Sequence, residues 1–341
     1  MLSLIISDIY RGTDFYDYAR GWSRAIFFMS NFLGLYQIGI QRINNLLYWF
    51  LGSVFSLLII YVLNNGLQYF AWKFGFATPI IFFALYLIIK ANGKYSTILL
   101  ISLTILNILL DFRSLGLLII FTLLFIKLKE KYESVGKAIY LFKRNLVIAT
   151  TVFLFTFIYI FSQNLISIEN PNKLVADRRI GGDSFRIAGL LVGLKAISES
   201  PLIGLGSWAR SDKLFSEWVY LQYEYGGSWT PSAGLDYFFN MPEANSIQVH
   251  SQIVQAWIEA GIFGFVFFVF QATFLLTSLR VIFRNRFQDK VYILIVFLIF
   301  NTLWAILFSP FGGGARILNA LTFAFIFIYF NNHHRLMEPA N

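Results

Sequence analysis

The side chains in this sequence that could do chemistry stand at the borders of long apolar runs. His250 heads a helical pattern carried by Ile253, Val254, Trp257 and Ile258. An imidazole exchanges a proton near neutral pH, so at that position it could act as a general base toward a hydroxyl group. It could equally be a polar residue anchoring a helix at a water–lipid boundary. Arg113, Arg186, Arg210 and Arg316 carry guanidinium forks that suit a diphosphate, where they would neutralise charge developing on a departing group. The alternative is that each only snorkels to lipid head groups. Glu259 lies a little way inside the helix that His250 precedes, where an acid is costly unless paired. It is therefore either a catalytic acid or the partner of an arginine.

Other chemistries find no material. Cysteine is absent, which removes disulfides, thiolate metal ligands and thiol nucleophiles. Three histidines, two of them the adjacent His333 and His334, are too few for an all-histidine cage, although Asp and Glu could still supply ligands. Gly204 and Gly206 in Pro-Leu-Ile-Gly-Leu-Gly lack a preceding strand pattern and a following Lys-Ser/Thr, so they predict a tight turn rather than a nucleotide loop. Gly312, Gly313 and Gly314 predict a flexible outer turn ahead of Arg316.

The elements that must position these residues are membrane helices. Hydrophobic residues make up 57% of the chain against 13% charged, with a mean hydropathy of +0.65, outside the range of soluble domains. The net charge of +9 falls in short clusters between apolar runs, as orientation signals do, and not on a face that would meet nucleic acid. Charge-free runs at about 25–40, 46–63, 74–89, 96–110, 114–126, 146–162, 260–279, 291–308 and 317–330 approach the ~17–25 residues of a spanning helix. The expectation is an all-α polytopic membrane protein, one membrane domain over 1–341, with about nine transmembrane helices. The pair flanking Arg113 is short, at roughly 15 and 13 residues, so a tilted or re-entrant hairpin is the alternative there.

Lysines and arginines in 127–145 and 280–290 make both loops cytoplasmic and put the 163–250 loop on the outer face. Counting back, Arg113 lies outside and so does the N-terminus. Residues 1–24 lack the pattern of a secretory signal. In the outer loop, Asp183 or Ser184 is a candidate N-cap, and Ile187, Leu190, Leu191 and Leu194 predict an amphipathic helix over Ser184–Ser198 lying on the membrane surface, ended by Pro201 and Gly204. Arg186 would then sit in its first turn, where a cation opposes the helix dipole and fits better beside an anion. Gly226–Asn245, with Trp229, Pro231, Gly234, Tyr237 and Pro242, predicts irregular structure.

Taken in order, Asp-Phe-Arg113-Ser in a short hairpin, Arg186 opening a loop helix that ends Ser-Pro-Leu-Ile-Gly-Leu-Gly, and His250-Ser-Gln-Ile-Val-Gln-Ala-Trp-Ile-Glu-Ala-Gly-Ile-Phe-Gly resemble the O-antigen ligase and polymerase superfamily. The likeness covers about residues 10–330 and is strongest over 180–264. It implies a glycosyltransferase of the bacterial inner membrane that uses neither nucleotide sugar nor metal. Such a protein moves glycan from undecaprenyl pyrophosphate to an acceptor at the periplasmic face, alongside other polysaccharide-assembly membrane proteins. His250 corresponds to the family histidine that activates the acceptor hydroxyl. Arg113 and Arg186 correspond to the arginines that bind pyrophosphate, and Arg210 and Arg316 are weaker matches. The family has twelve spans, so the resemblance leads one to expect about three more upstream of this chain. Its Ile-, Phe- and Asn-rich character leans toward a repeat-unit polymerase over a ligase acting on lipid A core. A transporter of lipid-linked oligosaccharide is the competing class; it would favour charges deep within spans and paired repeats with broken helices.

Overall fold

A computed structural model describes residues 1–65, 76–91, 96–110, 112–135, 173–225, 245–247, 249–285, 287 and 289–337. Among them are eleven helices: α1 (Leu2–Arg11), α2 (Phe15–Ile40), α3 (Ile43–Asn65), α4 (Ala77–Lys90), α5 (Ser96–Leu109), α6 (Arg113–Val135), α7 (Lys173–Glu199), α8 (Asp212–Glu224), α9 (Gln252–Arg284), α10 (Val291–Phe308) and α11 (Gly313–Met337). No strand occurs among the described residues; an isolated bridge joins Arg210 to Ser246. Four helices, α3, α9, α10 and α11, carry stretches long and apolar enough to cross a bilayer, and α4 and α5 are shorter apolar helices. The protein is all-α and suited to a membrane. Eight of the apolar runs fall on helices, while 146–162 and the aromatic segment 226–244 lie outside the described residues.

The chain divides into two compact units. The second takes in Ile26–Ser134, Ala272–Trp304 and Gly312–Asn341. Its centre is α10, buried continuously from Val291 to Ile299, as a helix that is apolar all round must be. Ring edges lock the neighbours together: Phe82 meets Phe50 at 4.5 Å and Phe297 at 5.7 Å, both near perpendicular. The spacing had ended the run after Arg113 at residue 126, before the lysines. The helix instead continues to Val135, about 34 Å over 23 residues, its C-terminal turns carrying the charges of Lys127, Lys129, Glu130 and Lys131. Lys129, expected in a cytoplasmic loop, is fully buried: its ammonium donates to the Asn285 carbonyl at 2.6 Å and lies over the Phe287 and Tyr292 rings. The turn expected at Gly312–Gly314 is shorter than its glycines suggest, because α11 already begins at Gly313.

The first unit takes in Met1–Ala25, Val135–Gln271 and Ala305–Phe311. Here α7 packs on α8 around Ala188, Val192, Ala196, Leu214, Phe215 and Trp218, with Ile247, Val249 and Ile258 closing the core. Two expectations for α7 need correction. It starts at Lys173, not at Ser184, because Gly181 and Gly182 are taken into the helix; Arg186 is therefore mid-helix and the dipole argument lapses. The packed face is also the small-residue one. Leu190, Leu191 and Leu194 point outward, while Gly193 comes so close to the first turn of α9 and the residues before it that a Cβ there would lie 3.3 Å from Val254 Cγ1 and 3.0 Å from Val249 Cγ2.

The helical pattern after His250 does not run unbroken into the membrane. Gly261 adopts φ 65°, ψ −158° inside α9 and interrupts it. A break of this kind strands carbonyls that lose their intrahelical donors. The turn at Gly204–Gly206 supplies replacements: Leu205 N–H donates to Ile258 O at 2.7 Å and Gly206 N–H to Glu259 O at 3.0 Å. Both turn glycines have φ near +87° (88° and 86°), and a Cβ on Gly204 would lie 2.7 Å from Glu259 O. The predicted tight turn is present, and its role is to complete the kinked helix.

Candidate functional site

His250 lies on the short approach to α9, held by its neighbours. Val249 N–H donates to Gln255 Oε1 at 3.1 Å, and Ser251 Oγ donates to Ile306 O at 3.3 Å. Upstream, Ser211 N–H donates to Asn245 O at 2.9 Å, tying the approach to the N-terminus of α8, which Ser211 caps. The imidazole meets the Phe185 ring edge-on at 4.9 Å, and Phe185 in turn meets Trp218 at 4.9 Å. Partial burial, and secondly the positive charge of Arg186, hold the His250 pKa below its ordinary value. The ring is thus neutral at neutral pH, with a lone pair able to accept a proton. Arg186 is exposed on α7 directly after Phe185, so one helix supplies both the apolar and the cationic neighbour of the histidine.

The other candidate residues divide. Arg210 belongs to the same unit, but its fork closes on the Asp17 carboxylate, with Nη2 donating to Oδ1 at 2.9 Å and Nε to Oδ2. That pairing engages two of the donors that a diphosphate would use. Glu259 is buried and pairs with Arg24, whose Nη2 donates to Oε2 at 2.7 Å, while Gln255 Nε2 donates to Oε1 at 2.9 Å. Its carboxylate is a structural node at the kink, consistent with the arginine-partner alternative. Arg113 and Arg316 lie in the second unit. Arg113 is exposed as the first residue of α6, and Arg316 bonds the Gly312 carbonyl at 3.3 Å in the first turn of α11.

The sequence pattern left out the N-terminal segment, which packs against this loop. Asp8, buried, accepts from Trp22 Nε1 at 2.8 Å, from Ser207 N–H at 2.6 Å and from Ser207 Oγ at 2.8 Å. Arg11 donates to Gly204 O at 2.9 Å and to Ser200 Oγ at 2.6 Å. Trp208, at φ 67°, meets both Arg20 and Arg24, whose guanidinium carbons stand 4.0 and 5.0 Å from its ring centre. A detectable signal was present: three Asp and three Arg residues precede the first apolar run, more charge than an interfacial linker requires. Among the described residues no group of His, Asp and Glu could hold a metal ion. Compared with protein-family models, curated proteins and solved structures, the chain matches none.

Proposed function

We propose that the chain is a metal-independent membrane glycosyltransferase, a polysaccharide repeat-unit polymerase using undecaprenyl-pyrophosphate-linked oligosaccharide at the periplasmic face of the bacterial inner membrane. About nine spans would hold the loop over 163–250 on that face. The observation that carries the reading is the neutral, partly buried His250 set against Phe185 with the Arg186 cation beside it. In the proposed step His250 removes the proton of a sugar hydroxyl. That oxygen attacks the anomeric carbon with inversion, the bond from this carbon to the pyrophosphate oxygen breaks, and the pyrophosphate leaves on its lipid. Arg186 offers a fork to that leaving group, where charge grows as the bond breaks. Arg210 is left out of the step, since its fork is closed on Asp17.

The test uses the full chain in proteoliposomes supplied with undecaprenyl-pyrophosphate-linked oligosaccharide. Lengthened glycan is expected from the native protein, and none from His250→Ala or Arg186→Ala variants that insert normally. Wild-type chain length in either variant would refute the assignment. Transfer only when lipid A core is supplied points to the ligase alternative, and movement of the lipid-linked sugar without a new glycosidic bond points to a transporter.

A further inference from the structure

We infer that α1 lies along the bilayer surface with one side sunk in lipid, as an in-plane anchor for the turn at residues 200–207. The observation is an inverted helix. Its polar side faces the protein: Ser7 Oγ donates to Glu259 O at 2.8 Å, Asp8 binds Ser207, and Arg11 binds Gly204 and Ser200. Its apolar side faces outward, with Leu2, Ile6 and Ile9 exposed at 73%, 53% and 74% at helical spacing. In water such a helix would turn the other way, since exposed aliphatic side chains gain by burial and polar ones by hydration.

The occupant of that outer side follows from what continues it. The Ser7 contact places α1 beside the Gly261 kink, at the head of the long apolar helix α9. Below the kink α9 presents Phe263, Val266, Phe267 and Phe270 outward, one helical stripe with no charge in it. Leu202, whose carbonyl lies against Gly261, is a further exposed aliphatic residue at the kink. Trp257 directs its indole N–H to Pro201 O at 2.9 Å, the posture of an aromatic ring at a membrane boundary. α1 therefore lies at the head of a helix suited to cross the bilayer, and its outward Leu2, Ile6 and Ile9 suit acyl chains, with the exposed Tyr10 beside them as an interfacial ring whose hydroxyl reaches the head groups.

The absence of cysteine makes the test direct. Single cysteines are placed in the full chain at Leu2, Ile6, Ile9 and Phe263, and at Asp14 and Lys213 as aqueous references. Each is nitroxide-labelled in liposomes and its saturation compared with oxygen and with a water-soluble nickel chelate. Labels at Leu2, Ile6 and Ile9 should favour oxygen over nickel as Phe263 does, by several-fold relative to Asp14. Nickel access equal to that at Asp14 overturns the inference by placing α1 in water. Protection from both reagents overturns it as well, because protein would then cover the face. All labelled positions are exposed, so a failure of folding at one leaves the others to decide.

Discussion

At His250 burial and the neighbouring Arg186 charge act in the same direction, and the consequence for pH can be worked through. A histidine whose folded pKa is depressed binds its proton more weakly folded than unfolded. Its contribution to stability is full above the ordinary value of about 6.5 and is lost as pH falls through that value and then through the lower folded one. His250→Gln, which keeps a polar side chain of similar reach, should flatten the fall in melting temperature between neutral pH and about pH 5. In the proposed reaction the acidic limb of the rate profile reports the same proton, and it should lie below the ordinary histidine range. Arg186→Gln removes only the second cause, so the His250 imidazole, followed by NMR in detergent, should titrate closer to that range while burial keeps it from arriving. An imidazole titration unmoved by Arg186→Gln would break the electrostatic link between the two residues. The Arg24–Glu259 pair is governed by a different rule. Both side chains are largely buried, and removing one leaves the other charged and poorly solvated. Arg24→Ala should cost about 3–5 kcal/mol in stability, whereas a double replacement by apolar residues of similar volume should recover much of it. Thermal melts of the single and double variants in detergent check both statements.

At the level of elements, the decisive feature is a break. Ile253, Val254, Trp257 and Ile258 have helical spacing and continue into an apolar run, so periodicity alone gives one long helix. The φ of 65° at Gly261 is a tertiary outcome that periodicity cannot carry. Its signal was distributed over two motifs far apart in sequence, Ser-Pro-Leu-Ile-Gly-Leu-Gly and Glu-Ala-Gly, each of which supplies what the other lacks in hydrogen bonding. The same limitation explains α7. Leucines spaced for one face suggested the buried side, but close approach of helices is made by small residues, and Ala188, Val192, Gly193 and Ala196 form the packed face. The consequence can be tested at Gly261. A Cβ there would stand 2.0 Å from the Leu202 carbonyl oxygen, and an L-residue would also be strained at this φ. Gly261→Ala should destabilise by about 3 kcal/mol or more, at the upper end of single substitutions. Gly52→Ala, where the added carbon meets nothing within 4 Å, should be close to neutral or slightly stabilising in the same melting assay.

For the whole molecule, composition made the class legible before any coordinate: eight of the apolar runs are helices, and four helices have the length and hydropathy of a span. The candidate site was legible only in part. His250 and Arg186 do neighbour one another, but the polar scaffold of the 200–210 turn and the α9 kink draws on Ser7, Asp8, Arg11, Asp17 and Arg24, whose partners lie far along the chain, 193 residues for Asp17 and Arg210 and 252 for Ser7 and Glu259. No local pattern encodes pairings of that range. They do bear on topology. Alternation of lysine- and arginine-rich loops leads one to expect the N-terminus on the same side as the 163–250 loop, and the contacts of Asp8, Arg11 and Asp17 join the N-terminal segment to residues 200–210. Sidedness relative to the bilayer then becomes a single question with a single answer for both. In sealed right-side-out vesicles, cysteines introduced at Asp14 and Lys213 should both react with an impermeant maleimide. Arg284→Cys, at the C-terminal end of α9 where Arg280 and Lys290 lead one to expect the cytoplasmic side, should react only after the vesicles are opened. Labelling of Arg284→Cys from outside would invert the orientation and remove the periplasmic chemistry proposed for His250; opposite outcomes at Asp14 and Lys213 would contradict the contacts that tie the N-terminal segment to the loop.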